Sequence, residues 1–494
     1  MTNLSTILAF ALYFLCMIVI GIIYSKTNKN SSDFFLGGRK TGPWITALSA
    51  EASDMSGWLL MGIPGVAYLT GMKEAFWTAI GLIIGTYINW LFVAKRLRHY
   101  TVISGNSITI PEFFTNRFKD SSKLLSLISV IFILLFFTIY TASGFVACAK
   151  LFSSVLGMEY LTALILGIFI ILVYTLLGGY RAVCTTDFIQ GTLMFIALTV
   201  TAYFVVSAMG GISQASDAVK VYGEQFLNPF ISGPNNHFGT IQIISALGWG
   251  LGYMGMPHIL VRFMGIRSEH EIKYSRRIAM IWLILAFTSS LMVGIFGKVF
   301  LTETLTGAAT EKIFIMEIMK IFPGFLGGIF LCGIFAAAMS TSDSQLLVGS
   351  SAFSQDIYKA FLNKEASQKK QFLVSRLTVI VIALIAFLMA MDPESSVFGL
   401  VSYAWAGFGS TFAPIIILSL FWRSITRNGA LFGMITGGIV YLIWSSISGG
   451  IFNLYEIIPG FFSCMLITVI ISLLDKNKNP EMLAEFDSYK NTLK

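Results

Sequence analysis

Thirteen apolar runs punctuate the chain, at residues 6–24, 45–70, 74–94, 124–152, 159–178, 185–208, 240–261, 278–300, 323–355, 373–391, 397–421, 428–447 and 453–474. About 20 apolar residues coiled as a helix cross the hydrocarbon of a bilayer, so each run is expected to span a membrane. The runs at 124–152 and 323–355 exceed that length, which predicts tilted or protruding helices. The first run has no basic leader and no A-x-A-like cleavage site, so it reads as a retained helix.

Two runs carry residues that a plain spanning helix avoids. The second contains Ala47-Leu48-Ser49-Ala50-Glu51-Ala52-Ser53-Asp54-Met55-Ser56-Gly57-Trp58. Lipid cannot hydrogen-bond a broken backbone, so irregular chain at that depth must be buried or line a cavity. Ser and Asp side chains also compete for helix hydrogen bonds, which predicts a discontinuous helix. The seventh run reads Gly248-Trp249-Gly250-Leu251-Gly252-Tyr253-Met254-Gly255-Met256-Pro257. Gly and Pro lower helix propensity by about 1 and about 3 kcal/mol per residue, so this run is expected to unwind too. The alternative for either segment is close helix packing through small residues. The breaks lie five runs apart, so each opens a five-helix unit, as in transporters built from two inverted repeats. The repeats would cover 45–208 and 240–421, with further helices at 428–474 and a tail at 475–494.

A third polar stretch, Ala336-Ala337-Ala338-Met339-Ser340-Thr341-Ser342-Asp343-Ser344, lies in the ninth run. Ala337, Ser340, Thr341 and Ser344 share one helix face. That face should turn inward, or its hydroxyls could bond back to their own helix.

Composition sharpens the picture. Of the 494 residues, 56 % are hydrophobic and 12 % charged, against about 45–50 % and about 25 % for a soluble domain. Lipid is therefore the solvent, and residues 1–494 form one domain. The longest loop, 209–239, is too short for a second one. The net charge of +8 does not point to nucleic acid, because the basic residues follow topology. With the N-terminus outside and the C-terminus inside, all but six of the 33 Lys and Arg fall on inner loops and the tail. Lys26, Lys29, Arg117, Arg262 and Lys494 are among the inner ones. Lys73, Lys150, Lys220, Lys298, Lys312 and Lys320 are the outer ones. Cys16, Cys148, Cys184, Cys332 and Cys464 lie singly and read as packing residues.

Sodium is a hard cation that takes oxygen ligands, as calcium does. Carbonyls freed at the first break and hydroxyls of the ninth run would cage it. The sequence holds no H-E-x-x-H or C-x-x-C site and no nucleophile–base constellation, so an enzyme is not expected. Four acids fall within the runs: Glu51, Asp54, Asp187 and Asp343. Intramembrane acids are functional suspects. Asp54 sits inside the break. Asp187 lies near the cytoplasmic start of the sixth helix, where an N-terminal charge role is the alternative. Asp343 could join Asp187 at a second cation or an exit path.

The stretch Ser49–Gly62 closely resembles the proline-carrying members of the sodium/solute symporter family. So do Leu134–Tyr140, Gly248–Leu260, Leu400–Gly409 and Thr426–Leu431. The resemblance runs from the first helix to the thirteenth. It implies a LeuT-type fold with one helix before the repeats and two after them. It implies a sodium site from the carbonyls of Ala52 and Met55 and from Ala337, Ser340 and Thr341, supported by Asp54. It implies a solute site from Ser56, Gly57, Trp58, Tyr140, Trp249, Tyr253 and Pro257. Trp249 and Tyr253 would also share a helix face at i, i+4. The cargo would be L-proline with co-transported sodium, the setting a bacterial inner membrane, and no nucleic acid or obligate protein partner is expected. Two residues depart from the family pattern: Glu51 replaces a small residue and Asp343 a hydroxyl residue. With Ser344, Asp187 and Asp343 would line the second cation site or exit path. The same fold carrying a betaine, monocarboxylate or sugar stays open, as does a channel or membrane sensor.

Overall fold

The computed structural model describes residues 4–25, 31–177, 179–233, 236–476 and 478–493. Lys26, Lys29 and Lys494, counted above on the inner side, lie outside them. Among the described residues, ten helices are long and apolar enough to cross a membrane. They include α1 (Leu4–Ser25), but the second apolar run is split into α2 (Pro43–Asp54) and α3 (Trp58–Thr70). Next come α4 (Met72–Ile103), α5 (Leu124–Leu156), α6 (Tyr160–Leu177) and α7 (Tyr180–Ala208). The seventh run is likewise split, into α8 (Thr240–Gly248) and α9 (Pro257–Gly265). The rest are α10 (Ile272–Phe300), α11 (Gly324–Leu362), α12 (Gln368–Met389), α13 (Val397–Phe421), α14 (Arg427–Ser445) and α15 (Ile457–Leu474).

Burial separates lipid-facing helices from central ones. On α12 the exposed residues Leu373, Leu377, Val381, Leu384 and Leu388 form one apolar stripe, which suits a hydrocarbon solvent. On α11 every residue from Phe330 to Ser351 is buried. That burial allows a Ser/Thr/Asp stretch at its middle, because no lipid touches it. α5 and α7 pack on α11, α1 covers its outer flank, and α2 lies against α7 and α10.

Several connections carry structure that the apolar runs did not reveal. The 209–239 loop holds a helix at Ile212–Val219 and a short antiparallel pair, β1 (Ile231–Gly233) with β2 (Asn236–His237). After α10 a helix at Ile313–Ile321 tucks in Phe314, Glu317 and Ile318. The charged tail is not loose: it forms α16 (Pro480–Thr492), capped by Asn479. Tyr489 of α16 stacks on Tyr100 with centroids 4.1 Å apart. Asp487 takes two 2.7 Å hydrogen bonds from Arg423, and Lys119 pairs with Glu485. Arg39, Arg98, Lys119 and Arg423 thus gather at one end of the bundle, where Arg39 and Arg98 donate to the carbonyls of Met264 and Ile266.

Three residues assigned to loops or helix ends by charge are instead buried. Arg117 is buried among the rings of Tyr100, Phe118 and Phe486. Lys150 pairs with Glu311 at 2.6 Å at the opposite end of the bundle. Arg262 lies on α9 in the interior. Long charged side chains can enter the interior when carboxylates, carbonyls or rings meet them, which a count of charges does not register.

Candidate functional site

The first break begins where α2 runs out of helical backbone. Met55 has φ −77° and ψ 74°. In an unbroken helix the Ser56 N–H would bond to the carbonyl of Ala52; here it bonds to the carbonyl of Asp54 at 2.9 Å. The Asp54 carbonyl also accepts from Trp58 Nε1 and from the Tyr140 hydroxyl, each at 3.0 Å. Two of the residues expected to meet solute therefore pin the break itself. Gly57 completes it: a Cβ there would lie 2.8 Å from that of Ala147 on α5. The Ser56 hydroxyl turns toward the Trp58 N–H, 3.5 Å away.

The freed Ala52 carbonyl meets α11. Ser340 Oγ donates to it at 2.7 Å and Thr341 Oγ1 approaches at 3.5 Å. Ser340 Oγ also lies 3.3 Å from the carbonyl of Ala337. Four of the five residues expected to hold sodium thus converge, and Met55 stands at the break beside them. Asp54 is buried, and neither of its carboxylate oxygens has a hydrogen-bond partner among the described residues. The Tyr253 hydroxyl lies next to it, also without one. Glu51 finds a partner that the sequence did not name: Trp90 Nε1 donates to Oε1 at 3.2 Å, and Oε2 has no partner among the described residues.

The second break is a 3₁₀ stretch, Trp249–Gly255, followed by an extended Met256 and by Pro257 at the start of α9. Unwinding and close packing coexist here. A Cβ on Gly250 would lie 2.3 Å from the Gly81 carbonyl of α4, and one on Gly252 would strike the Trp405 indole. The freed carbonyls are met by side chains: Trp405 Nε1 donates to Trp249 O at 2.7 Å, and Asn89 Nδ2 to Tyr253 O at 3.0 Å. A 3₁₀ helix turns every three residues, so Trp249 and Tyr253 do not share a face as α-helical spacing predicted. Trp249 meets Trp58, Phe398 and Tyr455, with centroids 6.0, 5.1 and 5.4 Å away. Tyr253 sets its edge on Trp405 and its hydroxyl toward Asp54. Pro257 faces a narrow void with Ile110, Val261 and Leu347.

Nearer the end of the bundle that carries α16, Arg262 organises the remaining acids. Its Nε donates to Ser49 Oγ at 3.1 Å, one terminal nitrogen to the His258 carbonyl at 2.9 Å, and the other to Asp187 at 3.2 Å and to Ser344. Ser49 donates to Asp187 at 2.6 Å, and Ser344 to Asp343 at 3.3 Å. Asp187 sits two turns inside α7, which starts at Tyr180, so it does not cap a helix N-terminus. Asp187, Asp343 and Ser344 do come together, around a cation that the chain itself supplies. The run pattern could not single out Arg262, because it stands near the edge of an apolar run like any loop arginine. The spacing His258-x-x-x-Arg262 after a proline was the one available signal.

Residues 34–437 match the family model described as the sodium:solute symporter family. The "Sodium/proline symporter" of Salmonella typhimurium is 47 % identical over 485 residues, covering 97 % of this chain and 95 % of that one. The "High-affinity proline transporter PutP" of Bacillus subtilis is 43 % identical over 478 residues, covering 97 % and 100 %. Among solved structures, a Na⁺-coupled sialic acid symporter superposes with a TM-score of 0.79 at 20 % identity, covering 96 % and 99 %. The all-helical arrangement is thus of the LeuT type.

Proposed function

The chain belongs to the sodium:solute symporter family, and on that premise we propose that it imports L-proline with sodium across a bacterial cytoplasmic membrane. The observation that carries this reading is the contact of Ser340 on α11 with the Ala52 carbonyl at the first break. Sodium entering there takes over the oxygens that the two hydroxyls and the carbonyl now share among themselves. Ala52, Met55, Ala337, Ser340 and Thr341 ligate it, and the unpartnered Asp54 carboxylate supplies the neutralising charge.

The solute lies between the breaks. The Ser56 hydroxyl and the Gly57 N–H take its carboxylate, as half-helix N-termini do for anionic groups. Trp58, Tyr140, Trp249 and Tyr253 enclose the ring, with Pro257 setting the entry of α9. Each ring methylene buried contributes about 0.8 kcal/mol. Thirteen spans, with the N-terminus outside, put α16 in the cytoplasm and relate 45–208 to 240–421 as inverted repeats. Breaking the Arg262 network on the α16 side then opens the exit. The membrane potential adds about 2.3 kcal/mol per charge per 100 mV.

Liposomes containing the purified chain test this. An inward sodium gradient is expected to drive accumulation of labelled L-proline, and a potassium gradient is not. Because binding coupling is reciprocal, sodium must also tighten proline binding. Equal proline affinity with and without sodium would overturn the reading. Displacement by a betaine, monocarboxylate or sugar in place of proline would change the cargo.

A further inference from the structure

Asp187 and Asp343, expected from the sequence to hold a second cation, have Arg262 among them instead. Two other buried carboxylates have no such counter-charge: Glu51 and Asp54, three residues apart on α2 and therefore on one side of it. Neither forms an ion pair among the described residues, and the charged group that faces Glu51 is Asp54 itself. Glu51 is also the residue that replaces a small one in the family pattern, so the pair belongs to this chain in particular.

The wall opposite the pair comes from α4 and the second break. Thr86, Asn89 and Trp90 share one face of α4 at i, i+3 and i+4, and their contacts show where it turns. Trp90 Nε1 donates to Glu51 Oε1 at 3.2 Å, and Asn89 Nδ2 to the Tyr253 carbonyl at 3.0 Å. Thr86 stands beside the Tyr253 hydroxyl, which itself lies next to Asp54. At Asn89–Val93 α4 widens into a π turn, a distortion frequent at functional sites. Glu51, Asp54, Thr86, Asn89 and Tyr253 are each no more than 2 % exposed. Yet Glu51 Oε2, both carboxylate oxygens of Asp54, Thr86 Oγ1, Asn89 Oδ1 and the Tyr253 hydroxyl have no hydrogen-bond partner among the described residues. Oxygens from α2, α4 and the second break are thus buried together with two negative charges among them.

We propose that Glu51, Asp54, Thr86, Asn89 and Tyr253 form a second sodium site on the α4 side of the first break, in addition to the one at Ala52 and Ser340. Buried charges are paired or coordinate metals, and two carboxylates sharing a site repel unless a cation lies between them. Carboxylate, amide and hydroxyl oxygens are the ligands that hard cations take. Charge balance selects a monovalent ion. The site at Ala52 consists of carbonyls and hydroxyls and draws its neutralising charge from Asp54, so Glu51 balances one further positive charge and a divalent ion leaves an excess. That balance rests on the transport reading above; the ligand set rests on the residues alone. Trp90 orients Glu51 and Asn89 fixes the backbone at Tyr253, so an ion held here ties the first break to the second. Two sodium ions then accompany each solute molecule.

Equilibrium dialysis of the purified full chain in detergent against radioactive sodium counts the ions directly. Two per chain are expected at saturation without proline, and one in Glu51→Gln. Thr86→Val keeps the side-chain shape and removes one oxygen. It should weaken one of the two ions at least tenfold and leave the other unchanged, which keeps the test open if Glu51→Gln does not fold. A single ion in the unmodified chain, or unchanged affinity for both ions in either variant, overturns the site. Displacement of the second ion by micromolar calcium overturns the choice of a monovalent cation. In liposomes the reversal potential should give two charges per proline for the unmodified chain and one for Glu51→Gln. Sodium-driven proline uptake with one charge per proline sinks the second site alone. Two bound ions that fall to one in Glu51→Gln, with no proline uptake by the unmodified chain, sink the transport reading and leave the cation site.

Discussion

The hydroxyl of Ser340 donates to the carbonyl oxygen of Ala52 at 2.7 Å, joining the middle of α11 to the last turn of α2 across the first break. That carbonyl has lost its helical donor, because the Ser56 N–H has turned to Asp54. A hydroxyl that rotates can serve the carbonyl when the ion is away and face the ion when it is present.

Ser340→Ala combined with Thr341→Ala is therefore expected to raise the sodium concentration for half-maximal proline uptake at least tenfold. Ser340→Ala alone leaves the buried Ala52 carbonyl only the 3.5 Å approach of Thr341, against a cost of about 1–3 kcal/mol for a buried group with no partner at all. Its melting temperature should fall most in sodium-free buffer. Titrating uptake against sodium, and melting the purified variants with and without sodium, checks both statements.

Asp54→Asn should separate charge from structure. Among the described residues the Asp54 carboxylate oxygens have no hydrogen-bond partner and only the Tyr253 hydroxyl lies beside them, so an amide of the same shape, which can still face that hydroxyl, is expected to leave the fold intact. Sodium activation of uptake is expected to drop by an order of magnitude or more, with yield and melting in sodium-free buffer unchanged. Unaltered sodium activation would remove Asp54 from the cation site.

Arg262→Met should destabilise strongly, because it leaves the buried Asp187 without its partner; such losses run to about 3–5 kcal/mol. Adding Asp187→Asn should restore most of the melting temperature, since an amide next to a thioether carries no charge to bury. A double variant as unstable as Arg262→Met would show that the arginine acts through packing instead.

Outside the spans, Asp120 braces the start of α5. Partial burial pushes its carboxyl up, but hydrogen bonds from Ser122 and the Leu125 N–H and the charge of Arg427 outweigh it and hold it below the usual carboxylate range. A group whose value is lower folded than unfolded adds stability above its unfolded value, about 3.9, and loses it as pH falls through the folded one. Asp120→Asn is therefore expected to melt below the unmodified chain at pH 7, with the gap closing toward pH 3. A gap that stays constant with pH would exclude the carboxylate as its source.

The breaks were legible because their residues violate helix chemistry at a depth where water cannot compensate. Ser53-Asp54-Met55-Ser56-Gly57 and the glycines before Pro257 are such violations, and the kinks fall there. The convergence of Ser340 and Thr341 on Ala52 was legible from one helix face together with the family resemblance. Arg262 was not, because a buried arginine near the edge of a run looks like a loop arginine until its carboxylates are brought to it by α7 and α11. Asn89 and Trp405 were missed for a similar reason. Each satisfies a carbonyl that exists only after α8 and α9 have parted, and a single sequence does not say which distant run will stand opposite. The helix Ile313–Ile321 and α16 are too short and too mixed in polarity to register as apolar runs.

The docking of α16 has a practical consequence for watching this molecule work. Lys490 is exposed, but the helix that carries it is clamped by Tyr489 on Tyr100 and by Asp487 on Arg423. A fluorophore attached there rides on the ends of α4 and α13 as a rigid pointer. Its distance to a second dye across the bundle would register rotation of those ends rather than the wandering of a free tether.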